Sequence, residues 1–146
     1  MTTPRQTPKT LSLAAPLAIQ AAAGDGQALP RFDLVAYSGG VIKPFGWWDG
    51  VIVDLAGIEI QSQQLPLRFA HRSEWGSGVG HTESVSISNG QLLASGVISR
   101  DTLTAREVVT SAGKGFPWQA SMGADPLEVE FLREGIETTI NGQKVT

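Results

Sequence analysis

A serine hydroxyl is a weak nucleophile until a neighbouring base takes its proton, and neutral imidazole is the usual base near pH 7. This chain of 146 residues carries two histidines and no cysteine, so bases are few and thiolate nucleophiles are excluded. His71 closes the apolar stretch LPLRFAH and opens the polar loop RSEWGSG, which sets its imidazole at the rim of a sheet. His81 follows GSGVG and begins the next strand pattern. Among the serines, Ser84, Ser86 and Ser88 alternate with apolar residues, and Ser38, Ser73 and Ser77 lie in loops. These read as solvated strand faces and turns. Ser121 differs, because in WQASMGA it sits among small and apolar neighbours. A hydroxyl there must find a partner or remain buried and unsatisfied. Gly123, two residues on, lets a substrate approach the backbone closely, and the amides of Met122, Gly123 and Ala124 are candidates for holding a developing oxyanion. Local sequence by itself favours a core serine bonded to a nearby carbonyl.

Other chemistries have less support. His71 and His81 with Glu74 or Glu83 form a thin metal-ligand set, and no metal or cofactor is expected. The glycines at 76, 78 and 80 are not followed by a helix pattern, which argues against a phosphate cradle. Trp47, Trp48, Trp75 and Trp118 read as core residues or a sugar-stacking platform, with Trp75 and Trp118 placed to line a cleft near His71 and Ser121.

The elements that must position these residues are mostly strands. Residues 1–30 are rich in Thr, Pro and Ala and end in GDGQALP, which predicts a flexible N-terminal arm before an ordered domain over 31–146. FDLVAY (32–37), GVIVDLAGIEIQ (50–61) and LPLRFAH (65–71) read as strands. HTESVSISNGQLLASGVIS (81–99) reads as a hairpin around Asn89-Gly90, the favoured pair for a type I′ turn. One helix follows, capped by Asp101 or Thr102, with Ala105, Val108, Val109 and Ala112 on one face and Gly113 at its close. FPWQASMGA (116–124) is a short apolar strand, and EVEFLREGIETTINGQKVT (128–146) begins another β segment with a turn at Asn141-Gly142. The expected fold is α+β: a β-rich, barrel-like domain of six to eight mostly antiparallel strands with one prominent helix. The sequence stops four residues past that last turn, which predicts a domain truncated at its C-terminus.

Composition narrows the class. Hydrophobic residues make up 41% and charged residues 17%, as in a globular chain. A net charge of −3 without a Lys or Arg run speaks against nucleic-acid binding. Residues 11–23 offer a weak targeting pattern broken by Pro16 and Gln20, and no stretch is long enough to span a bilayer. The absence of cysteine suits the cytoplasm.

The stretch from Leu65 to Ala124 resembles the HK97-type phage prohead maturation serine proteases, which share a fold with the herpesvirus assemblins. The likeness rests on LPLRFAH, EWGSGVGHTESVSI, GQLLASGVIS, DTLTAREVVTSAGKG and QASMGA, in that order over about sixty residues. The upstream RFDLVAYSGGVIKPFGWWDGVIVDLAG fits the first strands of that fold more loosely. The resemblance implies a serine endopeptidase with Ser121 as nucleophile and His71 as base. Its partners would be capsid and scaffold proteins as substrates, the chain itself, and further copies of it in a homo-oligomer, inside an assembling prohead in the bacterial cytoplasm. Two features depart from the family. Arg72 follows the histidine where the family commonly has Asp, and the acid of the triad would fall on a strand beyond Thr146. Glu74, Glu128 and Glu130 are fallback acids. Both departures favour the alternative of a catalytically inactive β-domain serving as a scaffold or capsid-interaction module.

Overall fold

The computed structural model describes residues 11–20, 29–43, 50–71 and 75–146, with residues 11–14, 71, 75, 122 and 124 described as backbone only. Among the described residues, eight strands and one α-helix are formed: β1 (Leu11–Gln20), β2 (Arg31–Tyr37), β3 (Pro66–Arg68), β4 (Gly78–Ser88), β5 (Gln91–Val97), α1 (Leu103–Gly113), β6 (Gln119–Ala124), β7 (Thr138–Ile140) and β8 (Gln143–Val145). Six of the strands make one antiparallel sheet in the order β3-β4-β5-β2-β1-β6, curled into a half-barrel, and β7 and β8 pair separately. The expected α+β, β-rich, barrel-like architecture is the one observed.

Alternation along the strands builds the core. Phe32, Leu34 and Ala36 of β2 lie on the same face as Leu92 and Ala94 of β5 and Val85 of β4. Leu17 and Ile19 of β1 continue that face opposite Leu34 and Phe32. Ala105 and Val109 of α1 pack on its Phe32 end with Val79 and Ile98. The other end is covered by Leu55 and by the loop residues Val51, Val53, Ile58 and Ile60. Thr102 caps α1 by accepting a hydrogen bond from the Ala105 amide at 3.1 Å, one of the two caps expected.

Three tight turns meet at one end of the sheet. Asn89 and Gly90 join β4 to β5 with φ of 51° and 72°, the two positive values a type I′ turn requires. The carbonyl of Gly90 lies where a Cβ on Gly39 (φ 89°) would fall, and the carbonyl of Asn141 lies where a Cβ on Gly90 would fall. Asn141 is itself left-handed (φ 54°), and its side chain bonds to the loop segments at this end of the sheet. Its amide donates to the carbonyls of Gly39 (3.0 Å) and Val53 (2.8 Å), and its oxygen accepts from the Leu55 amide (2.9 Å).

Three expectations are corrected. The arm expected over residues 1–30 is a strand over Leu11–Gln20, the fifth in the sheet order. Pro16 is tolerated because β1 changes partner there: Leu11–Pro16 pairs with β6 and Leu17–Gln20 with β2. Of the other arm residues, 1–10 and 21–28 lie outside the described residues. GVIVDLAGIEIQ forms no strand. Asp54 caps a 3-10 turn over Leu55–Gly57 and, among the described residues, a single Val51–Ile42 bridge is made, while its apolar residues pack on the core as a loop. Residues 128–137 are likewise irregular and exposed, and pairing resumes only at Thr138.

Candidate active site

Ser121 lies in the middle of β6, the edge strand, directly opposite Ala14 of β1. Side chains along β1 alternate, with Leu17 and Ile19 packed on the core and Pro16, Ala18 and Gln20 exposed. The register carries this alternation across to β6, so Ser121 shares the solvent-facing side with Gln119 and Gly123. It is half-buried there, and it has an interaction partner. The alternative of a serine in the apolar core does not fit this face.

The ladder also sorts the backbone amides. The Leu17 amide donates to the Trp118 carbonyl at 3.0 Å, which sets Leu17 opposite Trp118 at a hydrogen-bonding position of the ladder, while the Trp118 amide turns back to the Phe116 carbonyl at 2.9 Å. Hydrogen-bonded pairs recur every second residue in an antiparallel ladder. Met122 and Ala124, opposite Leu13 and Leu11, therefore direct their amides into β1, whereas Ser121 and Gly123 direct theirs toward the sheet edge. Of the three amides expected to serve an oxyanion, that of Gly123 is the one that turns toward the edge. The amide of Ser121 turns toward the same edge as that of Gly123.

His71 ends a 3-10 turn, Phe69–His71, that follows β3 at the opposite edge of the sheet. The turn bends through Ala70 in the left-handed region (φ 54°, ψ 32°). The strand expected to run up to His71 thus stops at Arg68. The His71 side chain, Arg72 and Glu74 lie outside the described residues, as do Trp47 and Trp48.

Curling of the sheet brings the two edges toward each other. Phe69 meets Trp118 edge-on, with ring centroids 6.1 Å apart. Trp118 is held in turn by Phe116 at 4.8 Å and by the Ser111 hydroxyl at the end of α1, to which its indole donates at 2.8 Å. The helix, the entry to β6 and the turn leading to His71 are therefore fixed to one another. Trp118 lines this junction, and the Trp75 side chain, expected beside it, lies outside the described residues.

The second histidine has another partner. His81 Nδ1 lies 2.7 Å from Ser99 Oγ. His81 is on β4 and Ser121 on β6, four strand spacings apart in the sheet order, at ~4.8 Å for each spacing. Sequence reasoning missed Ser99. The signal was the hairpin register, which sets His81 opposite Val97, two residues before Ser99 on the same face. Glu128 and Glu130 are exposed on the irregular segment after β6. Among the described residues, no group of three or more His, Cys, Asp or Glu is placed to hold a metal ion. Gly76 lies in a 3-10 turn and Gly78 and Gly80 in β4, so no helix N-terminus meets that glycine pattern. Among the described residues, no helix is long and apolar enough to cross a membrane.

Comparison with protein-family models, curated proteins and solved structures finds no match to this chain.

Proposed function

We propose that the chain is a serine endopeptidase domain of the prohead maturation type, with Ser121 as nucleophile and His71 as general base. The observation that supports this reading is the Phe69–Trp118 contact, made on the core-facing side that Trp118 shares with Leu17, one face of the sheet away from the Ser121 side chain. It joins the turn that ends at His71 to the start of the strand that bears Ser121, although fifty residues of sequence separate them. Ser121 on the solvent-facing side of an edge strand is accessible to a polypeptide, and the amides of Ser121 and Gly123 turn toward that edge.

In this mechanism Ser121 Oγ attacks the scissile carbonyl while His71 takes its proton. The carbonyl oxygen becomes an oxyanion stabilised by the two edge amides. His71 then protonates the departing amine, and water repeats the sequence to release the acyl group from Ser121. The substrates are scaffold and capsid proteins and the chain itself, within a prohead in the bacterial cytoplasm. A fluorophosphonate probe tests the assignment. It should label Ser121 in the folded protein, and Ser121→Ala should abolish both labelling and self-processing.

One observation favours a second reading. Ser99 and His81 already make a close hydroxyl–imidazole pair, so a probe adduct mapped to Ser99 would move the nucleophile there. No adduct at either serine would leave the inactive scaffold or capsid-interaction module.

A further inference from the structure

The solvent-facing side of the sheet carries a groove of about 550 Å³ across β4, β5, β2 and β1. The register resolves it into two rows. Ser84, Ser95, Asp33 and Ala18 stand opposite one another in turn across the four strands. The adjacent row, one step nearer Ser121 along β1, is apolar at Leu93, Val35 and Pro16. Pro16 is paired with Gln119, and the next pair on that face is Ala14 with Ser121. The groove therefore runs from a carboxylate, over an aliphatic strip, toward the proposed nucleophile.

Asp33 has no hydrogen-bond or ion-pair partner among the described residues. Arg31, the nearest cation on the same strand face, is engaged by Glu83 at 2.8 Å. Hydroxyls of Ser95 and Ser84 follow it along the row, and apolar side chains lie beside it. A carboxylate at the end of an aliphatic trough matches a cation on an aliphatic stem.

We infer that this groove is a specificity subsite for a lysine or arginine side chain of an extended polypeptide substrate, with Asp33 receiving the cation and Val35 and Pro16 the methylene stem. This rests on the reading of Ser121 as nucleophile, which fixes where the scissile bond lies. From the Ser121 pair to the Asp33 row is four residues along β1, about 13 Å, plus two strand spacings. Three residues of extended chain cover about 10 Å and a long side chain spans the rest. The basic residue accordingly stands three or four positions from the scissile bond.

The test uses the full chain as Ser121→Ala, so that peptides bind without being cut. Three fluorescein-labelled, uncharged alanine-based peptides carry a single arginine, norleucine or glutamate at one site. The arginine peptide should bind about tenfold more tightly than the norleucine peptide, and the glutamate peptide most weakly. Asp33→Asn should erase the arginine preference while leaving the thermal midpoint unchanged, and about 0.5 M salt should reduce it. Equal binding of arginine and norleucine peptides, or a preference that survives Asp33→Asn, overturns the subsite. These outcomes do not depend on fluorophosphonate labelling of Ser121, so failure of the nucleophile and failure of the subsite are separately visible.

Discussion

At the scale of single residues, the turn at Asn141-Gly142 shows how far sequence reaches. Asn-Gly announces the turn because both positions tolerate positive φ. Nothing local reveals that the Asn141 amide bonds to Gly39 and Val53, residues far away along the chain. Asn141→Ala removes two donated bonds and one accepted bond and leaves the Leu55 amide without this acceptor. A loss of about 2 kcal/mol is expected in urea denaturation, with the β4–β5 turn also loosened because it packs on the same residue. Tyr37 offers a second residue-level test. Its hydroxyl donates to the Gly40 carbonyl and accepts from the Val53 amide, and burial pushes its pKa above the ordinary phenol value. The folded state thus holds the proton more tightly than the unfolded state. Its contribution is fully present below about pH 10 and is lost as the pH rises through the folded value. Denaturation midpoints measured from pH 8 to 11 should fall more steeply for the native protein than for Tyr37→Phe.

At the scale of elements, what was legible depended on whether an element's partners were near in sequence. The β4–β5 hairpin and α1 were readable because turn, period and cap all lie within their own residues. β1 was not, since its Ala-rich, Pro-interrupted sequence becomes a strand only through β2 and β6. Alternation over 50–61 misled for the opposite reason, because a loop packed on a core also buries every second residue. The candidate site suffered similarly. Ser121 and His71 stood out by residue type, but the Phe69–Trp118 contact that relates their elements is tertiary. This contact predicts a separation of stability from activity. Trp118→Phe keeps a ring against Phe69 but loses the bond to Ser111, so about 1 kcal/mol of stability should go with little change in probe labelling. Trp118→Ala removes the ring contact and should cost about 3 kcal/mol. If the junction positions His71, labelling of Ser121 in Trp118→Ala should fall at least tenfold under conditions where the protein remains folded. Retained labelling would detach the aromatic junction from the site.

At the scale of the whole molecule, β1 decides whether the two edges of the half-barrel belong to one body. It is the strand on which β6 pairs, and Leu17 and Ile19 pack in the cluster that holds Phe32 and Ala105 together. Phe32 is 1% exposed, so removing that cover exposes a fully buried aromatic side chain, a loss of about 1.5–3 kcal/mol from this residue alone. The same removal strips β6 of its ladder, and β6 carries Ser121 and the amides proposed to face the oxyanion. A chain starting at residue 21 should therefore lose more than the sum of these contacts. Far-UV circular dichroism should keep the signal of the β4–β5 hairpin and α1, while the near-UV signal of Trp118 collapses and Ser121 no longer reacts with the probe. A truncated chain that unfolds cooperatively at the midpoint of the full protein would show β1 to be an accessory to the domain. A chain whose cooperativity is lost would show that residues reading as an arm in sequence are the strand joining helix, core and site.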